Sequence, residues 1–427
     1  MLLRRCLAFA LCLTLCAAAR AEGVLLLTTS PAAPGRFIAL EQAARAAGLP
    51  LRARFVEKIP SDELTPALWQ GADLVLIDAP RQHIEDFVRS RLAGALPALE
   101  RAPHVWLGTA APRPGGVEAA LAQRLHGYFV QGGARNTEWL LQTLQAWRAG
   151  GDWRALPEPQ IFPVAGLYHP SLPQIVAATP AEYFAARGLS LAQRPPAVAI
   201  AFHQGSIAAG QTEVIDDLAR RIEAGGALAL PFYGPMMDPQ GLRKLLTIDG
   251  RPIADVIVNT QITLTPEDRR KEFEALGLPV IQAMAWRRGS AEQWRADPHG
   301  IPLMDVPFYL AQAEYAGIAD IQVAAALRPG DEQLVPIDAQ AAAIAAKALN
   351  LLKLKTKPAA DKRVALMFWN YPAGEKNLSA SFMNLPRSLA GTLGALQAAG
   401  YRTEALDAQA LTGQLQRLLA PGYRPPQ

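Results

Sequence analysis

Phe202-His203-Gln204-Gly205-Ser206 places an imidazole and an amide where an apolar run ends and a glycine turn begins, with Gly210-Gln211-Thr212-Glu213 opening the next helical stretch. A histidine there can change charge near neutral pH or ligate a metal, so His203 is the first candidate metal ligand and Gln204 its neighbouring candidate. A plain strand-to-helix loop with Thr212 as N-cap accounts for Gly210 and Thr212, but not for the imidazole. Asn259-Thr260-Gln261 closes another apolar run; Asn259 is a candidate contact, although Asn and Thr also bond their own backbone at turns. Trp369-Asn370-Tyr371-Pro372 combines flat rings, suited to covering a flat ligand, with an amide. Its loop reaches Asn384-Leu385-Pro386 and exceeds the usual strand-to-helix connection, which favours binding by Asn370 and Tyr371 over a plain solvated loop. His169, in Gly166-Leu167-Tyr168-His169-Pro170, reads first as a turn or packing residue and second as a ligand.

His83, His104, His126 and His299 show neither a helical histidine pair nor a zinc-ligand spacing and are assigned no site. There is no phosphate-binding P-loop, no Gly-x-Ser-x-Gly elbow and no Gly-x-Gly-x-x-Gly after a strand, so the chain should not itself hydrolyse ATP. Cys6, Cys12 and Cys16 are the three cysteines. All lie in the first segment, which leaves the remainder no thiol for a disulfide framework, a thiolate zinc site or nucleophilic catalysis.

These residues depend on alternating strands and helices. Val24–Thr28, a helix over Phe37–Ala47 and Asp73–Ile77 start the pattern. A cleaner series follows: strand 197–202, helix 212–224, strand 228–232, helix 239–246, strand 255–258, helix 266–276 and strand 279–282. A third series begins with a strand at Val364–Trp369, a helix at Leu385–Ala399 and a short strand near Thr403–Leu406. Such alternation predicts an α/β chain of successive doubly wound, flavodoxin-like or Rossmann-like parallel sheets with crossover helices. Ligands of such sheets sit beyond the carboxyl ends of the strands, where His203 and Asn259 fall.

Arg4 and Arg5, the apolar run Leu7–Ala18 and Ala19-Arg20-Ala21 read as a signal peptide over residues 1–21, cleaved near Ala21, for a periplasmic protein. An uncleaved leader anchoring the chain in a membrane is the alternative. No later segment approaches the length of a membrane crossing. Prolines at 157, 159 and 163 and the basic run Lys353–Arg363 then mark domains at 22–150, 151–352 and 353–427, the last expected to be the truncated start of a further α/β unit. Of the formal net charge of +4, the leader arginines Arg4, Arg5 and Arg20 supply three, which leaves no nucleic-acid footprint.

In order along the chain, Leu74-Val75-Leu76-Ile77-Asp78-Ala79-Pro80, Gln131-Gly132-Gly133 with Asn136, Gly166 to Pro170, Phe202-His203 to Thr212 with Ile215-Asp216, Val258-Asn259-Thr260, Lys362 to Ala365, Asn370-Tyr371-Pro372 and Asn384 to Leu389 resemble the large subunit of the cobaltochelatase (CobN) and magnesium chelatase H family. That resemblance implies a subunit that binds a tetrapyrrole, corrin or porphyrin, and inserts cobalt or magnesium, which are substrates and not resident cofactors. ATP would be hydrolysed on separate AAA+ partner subunits. Family members are much longer, so an incomplete chain is expected. Because those partners need cytoplasmic ATP, the leader brings in a second expectation: an exported, non-catalytic protein that binds or demetallates a tetrapyrrole.

Overall fold

The structure is a computed structural model, describing residues 23–423 apart from 30–33, 109–110, 191–192, 319, 370, 372–373, 375–376 and 381. The expected leader, its cysteines and Asn370 lie outside the described residues. The chain divides into two compact units, Met1–Leu349 and Asn350–Gln427. No helix among the described residues is long and apolar enough to cross a membrane.

The first unit begins with β1 (Gly23–Thr28), α1 (Pro34–Ala46), β2 (Leu51–Phe55), β3 (Ala72–Asp78), α2 (Gln82–Arg91), β4 (His104–Leu107), β5 (Arg113–Gly115), α3 (Ala119–Gln131) and α4 (Gly133–Arg148). Its sheet runs β2-β1-β3-β4-β5, parallel except for β5. Alternate residues serve opposite faces. Val24, Leu26, Leu74 and Leu76 pack with Phe37, Leu125 and Leu140, whereas Leu25, Leu27, Val75 and Ile77 pack with Val88, Leu92 and Leu99. Both faces are thus buried, which is why these strands are continuous apolar runs.

A second sheet contains β6 (Gly166–Tyr168), β7 (Val176–Ala177), β8 (Ala197–Ala201), β9 (Leu228–Tyr233), β10 (Val256–Asn259), β11 (Val280–Trp286), β12 (Asp320–Leu327) and β13 (Leu334–Pro336), in the order β13-β12-β11-β10-β8-β9-β6-β7. Its five central strands are parallel. The crossover helices include α5 (Pro180–Ala186), α6 (Glu213–Ala224), α7 (Gly241–Leu246) and α8 (Pro266–Leu276), and α9 (Asp338–Thr356) follows the last strand. Helix α6 buries Val214, Ile215, Leu218, Ala219 and Ile222, one stripe at helical spacing. The doubly wound α/β class expected from alternation is the class observed. Strand order reverses between β1 and β3 and again between β8 and β10, so Thr28 with Asp78 mark one switch point, and Ala201 with Asn259 the other.

The two sheets of this unit are held at Gly132, between α3 and α4. Its φ of 60° and ψ of −153° fall where essentially only glycine is comfortable, and an added Cβ would lie 2.1 Å from the Ala208 carbonyl oxygen. Asn136, 1% exposed, secures the turn: its amide donates to the carbonyls of Gly132 (2.8 Å) and Gln160 (2.9 Å), and its oxygen accepts the Gln160 N–H at 2.9 Å.

The second unit contains α10 (Leu385–Ala398) and α11 (Ala408–Tyr423). Asn384 accepts the Arg387 N–H at 3.0 Å as N-cap, with Pro386 in the first turn. The strands expected at Val364–Trp369 and Thr403–Leu406 do not form. A strand needs a neighbour for its N–H and C=O groups, and Val364–Trp369 has none among the described residues; its side chains stay in water, Met367 94% and Trp369 77% exposed. Thr212 likewise departs from expectation. It precedes α6 without capping it, because its hydroxyl donates to Asp216 at 2.8 Å.

Gly132→Ala is expected to cost more than the about 1–3 kcal/mol of backbone strain alone, since its Cβ also meets backbone. The check is thermal unfolding, in which a loss of at least about 2–4 °C should appear; an unchanged midpoint would show that the two backbones do not touch.

Candidate functional site

At the switch point of the second sheet, Asn259 ends β10 beside Ala201 of β8 and Gln282 of β11. It is buried, donating to Gln282 Oε1 (2.8 Å) and the Gln261 carbonyl (3.1 Å). Gln282 donates in turn to the Gln261 carbonyl, and Gln261 to the Phe202 carbonyl. These amides satisfy one another. The cavity they border, at about 20 Å³, has room for roughly one water and none for a larger ligand.

His203 stands exposed at the mouth of this switch point. Its Nδ1 accepts the Gly205 N–H at 2.9 Å, which places the ring proton on Nε2. Ligation of a metal through Nε2 would require the proton to move to Nδ1 and break that bond. Gln204 turns its amide toward the Pro163 carbonyl at 3.4 Å. Among the described residues no group of three or more His, Cys, Asp or Glu could hold a metal ion.

His169 lies in a separate cluster with Glu223. It is buried, with Nδ1 accepting from the Ser171 N–H at 3.2 Å and Nε2 facing Glu223 at 3.3 Å. Arg187 donates to the same Glu223 oxygen at 2.8 Å. Burial opposes the Glu223 charge, but the bonds from His169 and Arg187 outweigh it and hold the carboxyl below its ordinary range. Next to it, Tyr168 and Thr212 both donate to Asp216, at 2.9 and 2.8 Å, yet burial leaves that carboxyl above its ordinary range. The groove here offers about 650 Å³, but charged side chains such as Asp217, Arg220 and Glu223 line it and are paired with one another or with neighbours. Such walls do not suit an apolar ring.

Tyr371, in the other unit, has an exposed ring and a backbone N–H that donates to the Ser379 carbonyl at 2.8 Å.

A concave space of about 740 Å³ with mainly apolar walls lies elsewhere, between α1, the α3–α4 turn and the segment Ala208–Gly210. That is within the range of small-molecule sites, about 300–1,000 Å³. Alanines 39, 43, 46 and 47 line it from α1, and Gly132, Gly133, Leu140 and Leu141 line it from the α3–α4 turn and α4, together with the polar Thr137, Gln142 and Gln145. Among the described residues, Arg36 is its one lining cation and Glu138 its one lining acid. Of the described residues singled out from the sequence for binding, His169, His203, Gln204, Asn259 and Tyr371, none lines this cleft. The signal for it was the glycine pair Gly132-Gly133 together with Ala208-Ala209-Gly210, which ends the loop that His203 begins.

Partial desolvation of the His203 ring, and then the positive charge of Arg81, depress its pKa below the usual 6.5. The fold therefore favours the neutral imidazole; this contribution to stability is full above pH 6.5 and declines as pH falls toward the depressed value. Histidine NMR should give a His203 midpoint below 6.5 that rises in Arg81→Ala. A midpoint at or above 6.5 in the unaltered chain would contradict the geometry.

The family model for CobN/Magnesium Chelatase matches residues 126–421, a span that includes the α3–α4 turn and Ala208–Gly210. Among curated relatives, the aerobic cobaltochelatase CobN of Sinorhizobium is 26% identical over 299 residues, 65% of this chain and 23% of its own length. The H subunit of the magnesium chelatase of Rhodobacter capsulatus is 23% identical over 314 residues, 64% of this chain and 25% of its own. The chain thus spans about a quarter of these relatives. The solved catalytic subunit of cobaltochelatase from Mycobacterium tuberculosis has the same fold over 93% of this chain and 33% of that one, with a TM-score of 0.68 and 21% identity. With the family pattern running through more than half of its length, the chain belongs to the CobN and magnesium chelatase family.

Proposed function

We propose that this chain forms the tetrapyrrole-holding part of a large-subunit metal chelatase, and that the ring lies in the cleft between α1, the α3–α4 turn and Ala208–Gly210. The cleft carries the reading: a mainly apolar space of about 740 Å³ with one cation suits a flat ring with a charged edge. Cobalt or magnesium is the substrate inserted, and ATP is hydrolysed on separate AAA+ subunits, in keeping with the lack of a phosphate-binding motif in the sequence. The segment from His203 to Gly210 joins the second sheet's switch point to the cleft wall, so His203 and Gln204 stand at the entrance to the loop that bounds the ring.

The leader-like Arg4 to Ala21 favours a second reading, in which an exported, periplasmic form binds or demetallates a tetrapyrrole without ATP-driven insertion. Addition of an AAA+ chelatase subunit, ATP and cobalt or magnesium separates the two: ring metallation belongs to the first reading alone.

Titration of the full chain with a cobalt-free corrinoid and a metal-free porphyrin, followed by ring absorbance, should give saturable binding near micromolar, about −8 kcal/mol. Ala39→Trp, which fills the cleft from an exposed wall position, should weaken it at least about tenfold. Loss in His203→Ala but not in Ala39→Trp would move the ring to the switch point, and absence of binding by the folded chain would remove the reading.

A further inference from the structure

Arg36 is the feature of the cleft that packing alone does not explain. It sits in the first turn of α1, and its guanidinium lies 4.2 Å from the centroid of the Phe129 ring and 5.8 Å from that of Phe37. It donates to the Phe129 carbonyl, which fixes its direction. Among the described residues it makes no other hydrogen bond and no ion pair. A guanidinium cannot shed its proton to escape an apolar setting, so its charge remains.

Neither Asp78 nor Glu138 cancels that charge by contact. Asp78, at the end of β3, interacts with Arg36 through space, but its carboxylate is engaged by the Thr28 hydroxyl at 2.9 Å. Burial pushes the Asp78 carboxyl above its ordinary range, against the pull of Arg36. Glu138, the other charged residue of the cleft, is exposed and accepts from Gln142 at 3.0 Å. Arg36 therefore brings a cation with undirected N–H donors to a wall made mostly of alanine, glycine and leucine, with Thr137, Glu138, Gln142 and Gln145 among its other polar side chains. A desolvated cation is costly until an anion meets it, and a carboxylate matches the guanidinium fork with two parallel hydrogen bonds.

We infer that Arg36 is the anchor of the cleft for a carboxylate carried on the edge of a flat apolar ring, and that it makes the cleft selective for the acid over its neutral ester. This rests on the reading that the cleft holds a tetrapyrrole. The ring of Phe129, at 4.2 Å, and that of Phe37, at 5.8 Å, pack against the guanidinium and restrict its movement, while the alanines of α1 line the space beside it. Arg36 is thus a binding and selectivity residue, with no part in handling the metal.

The test uses the full chain, a metal-free porphyrin bearing two propionic acids, and the dimethyl ester of that porphyrin, with affinity read from ring absorbance and fluorescence. The diacid should bind at least about tenfold tighter than the diester. Arg36→Met should abolish this preference by weakening the diacid while leaving the diester within about twofold, and Arg36→Lys should restore part of it as a point charge without the fork. Equal binding of diacid and diester by the unaltered chain would overturn the inference while leaving the ring site standing; so would an Arg36→Met variant that weakens both alike. Binding of neither porphyrin, or binding unaffected by Ala39→Trp, would remove the ring from the cleft and the inference with it. If Arg36→Met does not fold, the comparison of diacid with diester on the unaltered chain decides alone.

Discussion

Backbone meets backbone where Gly132 lies against Ala208, and the geometry of the first unit follows from that approach. A side chain at position 132 would hold the helical layer of the first sheet away from the loop of the second. Asn136 keeps the turn in place by occupying both the Gly132 carbonyl and the polar groups of Gln160, so the segment joining the two sheets is tied to the same point. The cleft is what remains beside this contact once α1 has packed on its sheet. Its width is set by three separate pieces of chain meeting at one small residue, and no single helix determines it.

The motifs through which the sequence resembles its family divide by role once placed in the fold. Tyr168, Thr212 and Asp216 form one hydrogen-bonded group, with His169, Glu223 and Arg187 beside it, and together they fasten β6 and its following turn to α6. Asn259, Gln261 and Gln282 do the same across the ends of three strands. Asn384 caps a helix. Polar residues that looked available in the sequence are used to close the protein's own backbone and side-chain valences. Each buried amide or acid otherwise left unpaired would cost about 1–3 kcal/mol.

The parallel strands were legible because burial on both faces demands uninterrupted apolar runs, and Val24–Thr28 or Ala197–Phe202 admit few other readings. The same rule misled at Val364–Trp369, where an apolar run of strand length lacks a partner; pairing is a property of two segments, and one segment cannot declare it. The cleft was hidden for a related reason. Its lining residues are 36–47, 128–145 and 208–210, mostly of types that carry no chemistry, and only the fold makes them neighbours. Arg36 appears in sequence as one more helix-start arginine, whereas its position over Phe129 depends on a helix more than ninety residues away. His203 and Asn259 were found because strand exits can be located from periodicity alone, a local signal that says where a loop is but not what fills it.

The alanine and glycine walls have a consequence beyond shape. Most side chains lose rotamer freedom when a ligand covers them, by about 0.5–1.5 kcal/mol for each flexible one that is immobilised. Alanine and glycine have no such freedom to lose. Where an occupant lies along Ala39, Ala43 and Ala46 and against Gly132, it would therefore order nothing on the protein's side, and that part of the surface would be as rigid before it arrives as after. Such a surface cannot adjust itself to a ring of different pucker or thickness, so discrimination between a flat macrocycle and a ruffled one would be built into the wall as a difference in how much of it each can touch.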